Sequence, residues 1–338
     1  MKIALATTTI HVPHALKLMR KCSEDVKFFV ALDKNSDFNG IALHMENDWD
    51  SSWLTPDFQG TWKCSGLLGW NTLARRNIAF LEALKWGADV IYSWDDDNLP
   101  LDLQHFRHIE TAFYYPPGAW AGLQVGGYAW FDPGQLLIPP TRHRGFPYIM
   151  VPQSRAEPIV DAKIGVATGL VIGDPDIDAV TRMEKSPDIG SVHILGSVGV
   201  VVDPHTWTIF NTQNTAVLRE FVPAWFMMPN VGRHDDIYAS LIVQRVMRER
   251  GYCVHFGQPF TYQQRNPHNL VKDLRAEIDG MDNVLRLANL LDSIVLLGKS
   301  VIDDTRTIYQ TLAHVDWLPP KSIEAGLAFI DDCESIGL

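Results

Sequence analysis

A chain of 338 residues, 46% hydrophobic and 20% charged, has the apolar content for a large core and is neither disordered nor fibrous in composition. A net charge of −11 argues against a broad footprint for nucleic acid or anionic membrane. Four scattered cysteines (Cys22, Cys64, Cys253 and Cys333) form no C-x-x-C pair, which argues against zinc and fits a reducing compartment.

The N-terminal apolar run is too short for a signal peptide, and no stretch of about 18 apolar residues exists to cross a membrane. A cytoplasmic location is the expectation. Residues 2–7 (K-I-A-L-A-T) predict a buried strand, and 14–21 a helix entered at Pro13. Residues 26–32 predict a second strand ending at Asp33, and 41–45 a short third. A helix follows over 72–86, with Leu73, Ile78, Leu81 and Leu84 on one face and Gly87 as its stop. Residues 88–94 are the next strand. This β-α-β-α-β order predicts a mostly parallel sheet with helices on both faces.

The middle, 115–206, is rich in Gly, Pro and aromatics and predicts a mixed extension of the same sheet, including a strand at 196–202. A helix is expected over 235–250, with acids in its first turn and Gly251 behind it. Beyond 270 the pattern is helical. The expected division is a ligand-binding α/β half over 1–115, a second part of the same domain over 116–269, and a helical extension over 270–338.

Ligands of such sheets bind beyond the carboxyl ends of the strands. Thr7, Thr8, Thr9, Asp33 and the triplet Asp95–Asp97 all fall there, so they are expected on one rim. Three acids at a strand end make a hard-oxygen site for Mg²⁺ or Mn²⁺, with substrate phosphates as further ligands. Alternation sends Asp95 and Asp97 one way and Asp96 the other, so Asp95 and Asp97 are the expected ligand pair. Asp96 is left for a contact such as a ribose hydroxyl. Asp33 is placed to meet a base or ribose, and Arg75 or Arg76 to add a guanidinium contact to phosphate. A second acidic pair, Asp235 and Asp236, opens the helix at 235. One of the two is expected to cap the helix and the other to act as a base or to bind an acceptor hydroxyl. Asn214 and the aromatics Trp130, Trp207 and Trp225 are candidates for lining a ligand pocket, with core packing the more common role for any one of the tryptophans.

Four segments in this order resemble the reversibly glycosylated polypeptides, the UDP-arabinopyranose mutase family: D-D-D at 95–97, R-G-F-P at 144–147, N-T-A-V-L-R-E-F-V-P-A at 214–224 and G-R-H-D-D-I-Y-A at 232–239. G-Q-P-F-T-Y-Q-Q-R-N-P at 257–267 is a weaker fifth, and the resemblance covers roughly residues 1–285. It implies a GT-A fold, a nucleotide-diphosphate sugar donor with UDP favoured, and Mn²⁺ or Mg²⁺ on the triplet. It also implies that Arg144 matches the arginine those proteins glycosylate, and that Asp235 and Asp236 match the family's acidic pair. Two departures stand out. Asn98 follows the triplet where plant members carry Cys, and Gln263 and Gln264 follow Tyr262 where the family carries His. His268 or His255 is then left to complete the metal site.

The reading is a metal-dependent glycosyltransferase. A pyranose/furanose mutase is the alternative within enzymes, and an inactive sugar-nucleotide-binding protein the alternative outside them. The partners expected are a nucleotide sugar, an acceptor (small molecule, glycan, protein or modified nucleobase) and a second copy of the chain.

Overall fold

The structure, a computed structural model, describes residues 1–23, 25–44, 51–113, 122–159, 161–185, 187–193, 199–264 and 269–338. The chain opens with β1 (Ile3–Thr9), α1 (His14–Arg20), β2 (Lys27–Leu32), α2 (Phe38–His44) and β3 (Ser51–Leu54). A short α3 (Pro56–Gln59) leads to α4 (Arg76–Trp86), β4 (Val90–Trp94), β5 (Asn98–Pro100) and α5 (His105–Phe113). The middle supplies β6 (Gly122–Gly126), β7 (Trp130–Phe131), β8 (Leu137–Ile138), β9 (Arg155–Ile159) and β10 (Lys163–Gly173). It continues with α6 (Ala179–Glu184), β11 (Ser191–Val192), β12 (Val200–Val202), β13 (Trp207–Thr208) and β14 (Asn214–Leu218). Then come α7 (Asp235–Arg248), β15 (Tyr252–Gln263) and three closing helices, α8 (Leu270–Ser293), α9 (Val301–Leu312) and α10 (Pro320–Ser335).

Eleven strands form one sheet in the order β3-β2-β1-β4-β14-β10-β15-β12-β6-β9, with β5 added along β15. The first four are parallel neighbours. Beyond them, β14 runs antiparallel to both β4 and β10, while β10 and β15 are parallel. The α/β class, the helices on both faces and the C-terminal helical extension are as expected. Alternation along β1 explains the layers. Ile3 and Leu5 pack with Leu16 and Met19 of α1 and Phe106 of α5, while Ala4 and Ala6 face α4 on the other side. Small residues on that second face let α4 lie close.

The structure departs from the sequence reading in two elements. Residues 41–44 belong to α2, not to a strand; Met45 lies outside the described residues. Asp37 decides this locally: its Oδ1 accepts from Gly40 N at 2.9 Å, an N-cap that satisfies a first-turn donor. The third strand is β3. The helix expected over 72–86 starts as a 3₁₀ turn at Leu73–Arg75, capped by the Thr72 hydroxyl, before α4 begins at Arg76. Every residue from Arg76 to Leu84 is buried, rather than one face only, because α10 covers the side turned away from the sheet. Gly87 ends α4 at φ 85° as expected. Of the strand expected over 196–202, Val200–Val202 is formed; 196–198 lie outside the described residues.

The closing helices are tied to the N-terminal half by buried polar contacts. Asp332 of α10 accepts from the backbone N–H of Lys63 at 3.0 Å and of Cys64 at 2.9 Å. No helix of the described residues is long and apolar enough to cross a membrane. Removing the Asp332 carboxylate leaves the buried Cys64 N–H and the half-buried Lys63 N–H without this partner, a loss of about 1–3 kcal/mol. Asp332→Ala is expected to lower the urea midpoint with the slope unchanged, as measured by equilibrium unfolding.

Candidate functional site

The parallel register sets the rim. Ala6 of β1 lies opposite Ser93 of β4, and Thr9 opposite Leu32 of β2, so β1, β2 and β4 end at nearly one level. Beyond β4 the chain turns back at once: Asn98 N donates to Asp95 O at 3.1 Å, and Asp95 N donates to Gln213 O at 3.1 Å. Asp95 and Asp97 line a cavity of about 370 Å³, within the range that holds small-molecule ligands. Asp235 and Asp236, at the N-terminus of α7, line the same cavity. The two acidic motifs, some 140 residues apart in sequence by the numbering, therefore meet.

Asp96 points elsewhere, as the alternation requires. Burial pushes its carboxyl above the usual range, and a hydrogen bond with Thr9 pulls it part of the way back. Asp33 is buried at the end of β2 and organises its own loop, accepting from Lys34 N and Asn71 N, each at 2.6 Å. Thr7 donates to Trp94 O at 2.6 Å, Thr8 to Ala31 O at 2.8 Å, and Thr9 to His11 O at 2.8 Å. These threonines tie the strand ends together beside the triplet.

Two buried arginines hold the acids in place. Arg76 donates to Asp95 Oδ1 at 2.8 Å, to Ser93 Oγ at 2.9 Å and to Thr212 O at 3.1 Å. It offsets the charge of Asp95 from behind. Arg75 stays in the core, on Gln59 and Ser65 and over the Trp70 ring, so it is not a phosphate contact. Arg144 donates from Nε to Asp176 Oδ2 at 2.7 Å and from Nη2 to both oxygens of Asp236, at 3.1 and 3.2 Å. Its Nη2 also bonds Asp176 and its Nη1 the carbonyl of Arg233. Burial alone would lower its pKa, but Asp176 and Asp236 outweigh that and hold it well above the usual value. The following glycine is a packing requirement. Gly145 has φ 88°, and a Cβ there would stand 2.5 Å from Ile237 of α7.

The acidic pair is unequal. Asp236 is buried, paired with Arg144, and accepts from Thr212 N at 3.1 Å. Asp235 faces the cavity, and burial, then the neighbouring Asp236 charge, pushes its carboxyl up to about 7. Five carboxylates and two guanidinium groups line the cavity. That balance repels a bare diphosphate and attracts a cation.

Several expectations fail here. Asn214 does not reach this cavity. Its carboxamide accepts from Tyr92 at 2.8 Å and donates to Thr261 at 2.9 Å and Gly169 at 3.1 Å, on the α5 side of the sheet. His255 lines that other side as well. His268 lies outside the described residues. Trp130, Trp207 and Trp225 are core residues; Trp225 stacks on Phe80 with ring centroids 4.6 Å apart. Among the described residues no group of three or more His, Cys, Asp or Glu side chains converges as metal ligands. Conversely, Asp176, Thr212, Gln213 and Arg233 were not singled out from sequence and all line the cavity. Asp176 lies just past the end of β10, so it carries the same strand-end signal as the triplet.

No protein-family model matches the chain, and no curated protein does. Among solved structures it is similar to glucosyl-3-phosphoglycerate synthase from Mycobacterium tuberculosis, determined with Mn²⁺ and UDP-glucose. The similarity covers 88% of this chain and 81% of that one, at 10% identity and a TM-score of 0.43. So low a score carries nothing about residues or chemistry.

Two measurements probe this arrangement. Arg144→Met strands two buried carboxylates, and is expected to cost about 3–5 kcal/mol in chemical denaturation. Asp235 titrates higher in the folded chain than in the unfolded one, so its ionisation opposes folding. That cost is absent below pH 4 and complete above about pH 7. Asp235→Asn is expected to raise Tm by a few degrees at pH 8, with the gain vanishing toward pH 4 in a pH series of thermal melts.

Proposed function

We propose that the chain is a cation-dependent glycosyltransferase of GT-A type, moving a sugar from a nucleotide-diphosphate donor to an acceptor hydroxyl. One observation carries the reading. Asp95 and Asp97, at the carboxyl end of a central parallel strand, face Asp235 and Asp236 across one cavity. UDP as the nucleotide follows from the family resemblance.

The donor set fits a hard divalent cation. Asp95 and Asp97 offer carboxylate oxygens, and Mg²⁺ or Mn²⁺ is commonly held by one or two carboxylates plus substrate phosphates. When bound, the cation would supply charge neutralisation for the departing diphosphate. Thr7, Thr9 and Asp33, buried and bonded to neighbouring backbone, would shape the nucleoside side of the rim from beneath, beside Thr8 and Asp96. Asp235 is the base of choice for the acceptor hydroxyl, because its raised pKa lies near the working pH and its oxygens face the cavity. Asp236 is committed to Arg144 and Thr212 and would fix the start of α7 instead.

Arg144 separates the transferase from the mutase reading. A glycosylated arginine must first become a nucleophile. This guanidinium bonds through Nε, Nη1 and Nη2 and is held in its charged form. That favours transfer to an external acceptor over self-glycosylation.

A thermal-shift panel of UDP-, GDP- and ADP-sugars with Mn²⁺ or with EDTA tests the reading. One nucleotide class is expected to raise Tm, only with Mn²⁺, the shift corresponding to the roughly 2.7 kcal/mol of stabilisation that a ligand at a hundredfold Kd supplies. Asp95→Ala and Asp97→Ala should remove the shift. Stabilisation that survives both EDTA and these substitutions would sink the cation site. Turnover of the active donor should release free nucleotide, whereas a mutase would accumulate an isomerised nucleotide sugar. The rate should rise with pH through about 7, and Asp235→Asn should lower it 10²–10⁴-fold.

A further inference from the structure

A chain of buried carboxamides runs under the triplet. Gln213 Nε2 donates to Asn98 Oδ1 at 3.1 Å and also to Gln263 Oε1. With its oxygen engaged, Gln263 must present its nitrogen, and Nε2 meets the two oxygens of Asp97 at 3.2 and 3.1 Å. The reverse orientation would set an amide oxygen against a carboxylate. Asn98, Gln213 and Gln263 are 0%, 3% and 4% exposed, so the carboxamide-to-carboxamide links among them are shielded from solvent. The carbonyl of the same Gln213 accepts from Asp95 N at 3.1 Å and from Asn98 Nδ2 at 2.8 Å.

We propose that Gln213 is a positioning residue for cation binding: its side chain orients Asp97 through Gln263, while its carbonyl anchors Asp95. The inference rests on the reading of Asp95 and Asp97 as cation ligands. The chemistry favours a carboxamide here. Arg76 orients Asp95 but offsets its charge; the Gln213–Gln263 link orients Asp97 and adds no positive charge. The link thereby fixes the direction of Asp97 without itself drawing on the carboxylate's charge. A carboxylate oxygen can accept a hydrogen bond and still ligate a cation, since each carries more than one lone pair.

The test is a calorimetric titration of Mn²⁺ into the full chain with UDP present, alongside thermal melts without Mn²⁺ to verify folding. Gln213→Met and Gln263→Met are each expected to weaken Mn²⁺ binding roughly 10–100-fold, as loss of a ligand-orienting partner does. Because both break one link, the double variant should bind no more weakly than the weaker single one. Losses that add would mark two independent packing roles and overturn the proposal. So would wild-type Mn²⁺ affinity in both Met variants while Asp97→Asn loses binding; that result leaves the cation site intact. If wild type does not bind Mn²⁺, or Asp97→Asn binds it normally, the cation-site reading itself falls and the proposal with it. Should Gln213→Met fail to fold, Gln213→Asn keeps a polar group one methylene short of Gln263 and is expected to show the same loss.

Discussion

Carboxylates crowded into a cleft repel one another, and the architecture of this rim follows from managing that repulsion. Arg76 takes Asp95 from behind, and Arg144 bridges Asp176 and Asp236. Both guanidinium groups are buried, so each ion pair is short of screening water and each partner is costly to remove. The consequence is a graded set of acids. Asp236 and Asp176 are tied down, Asp95 is partly offset, and Asp235 is left with its ionisation opposed. Four chemically identical side chains acquire different tasks from their surroundings alone.

The parts legible in the sequence were those with a local signature. The strand running into D-D-D and the acids opening a helix both mark themselves, and the rule for parallel sheets places them on a shared rim. What the sequence could not show was parity and partnership. Asn214 and Gln213 are neighbours, and one step along the chain decides which side of the sheet each side chain meets. Gln213 faces the acids; Asn214 spends its bonds on Tyr92, Gly169 and Thr261. The tryptophans had two readings for a related reason: an aromatic suits a ligand pocket as well as a core, and burial decides for the core, the commoner role. Asp176 had the right signal, but its setting of Gly and Pro turns hid the end of β10.

The closing helices also change the meaning of a sequence pattern. The periodicity over 72–86 predicts one buried face, yet α4 is enclosed on all sides because α10 packs over it. Arg76, at the first turn of that enclosed helix, is aimed at Asp95 from a support with little freedom. The last helix, α10, thus contributes to the rim through α4 without lining the cavity itself.

The segment joining Thr212 to Gln213 has a consequence for what the cleft can accept. Its N–H at Thr212 is bonded to Asp236, and its carbonyl at Gln213 to the backbone of Asp95. Two adjoining residues therefore work as a ruler between the walls of the cleft. Neither wall can retreat alone to admit a bulkier guest. A chain adapted to a larger ligand would have to redraw the segment itself, and change in the cleft's width should be looked for there before the acids.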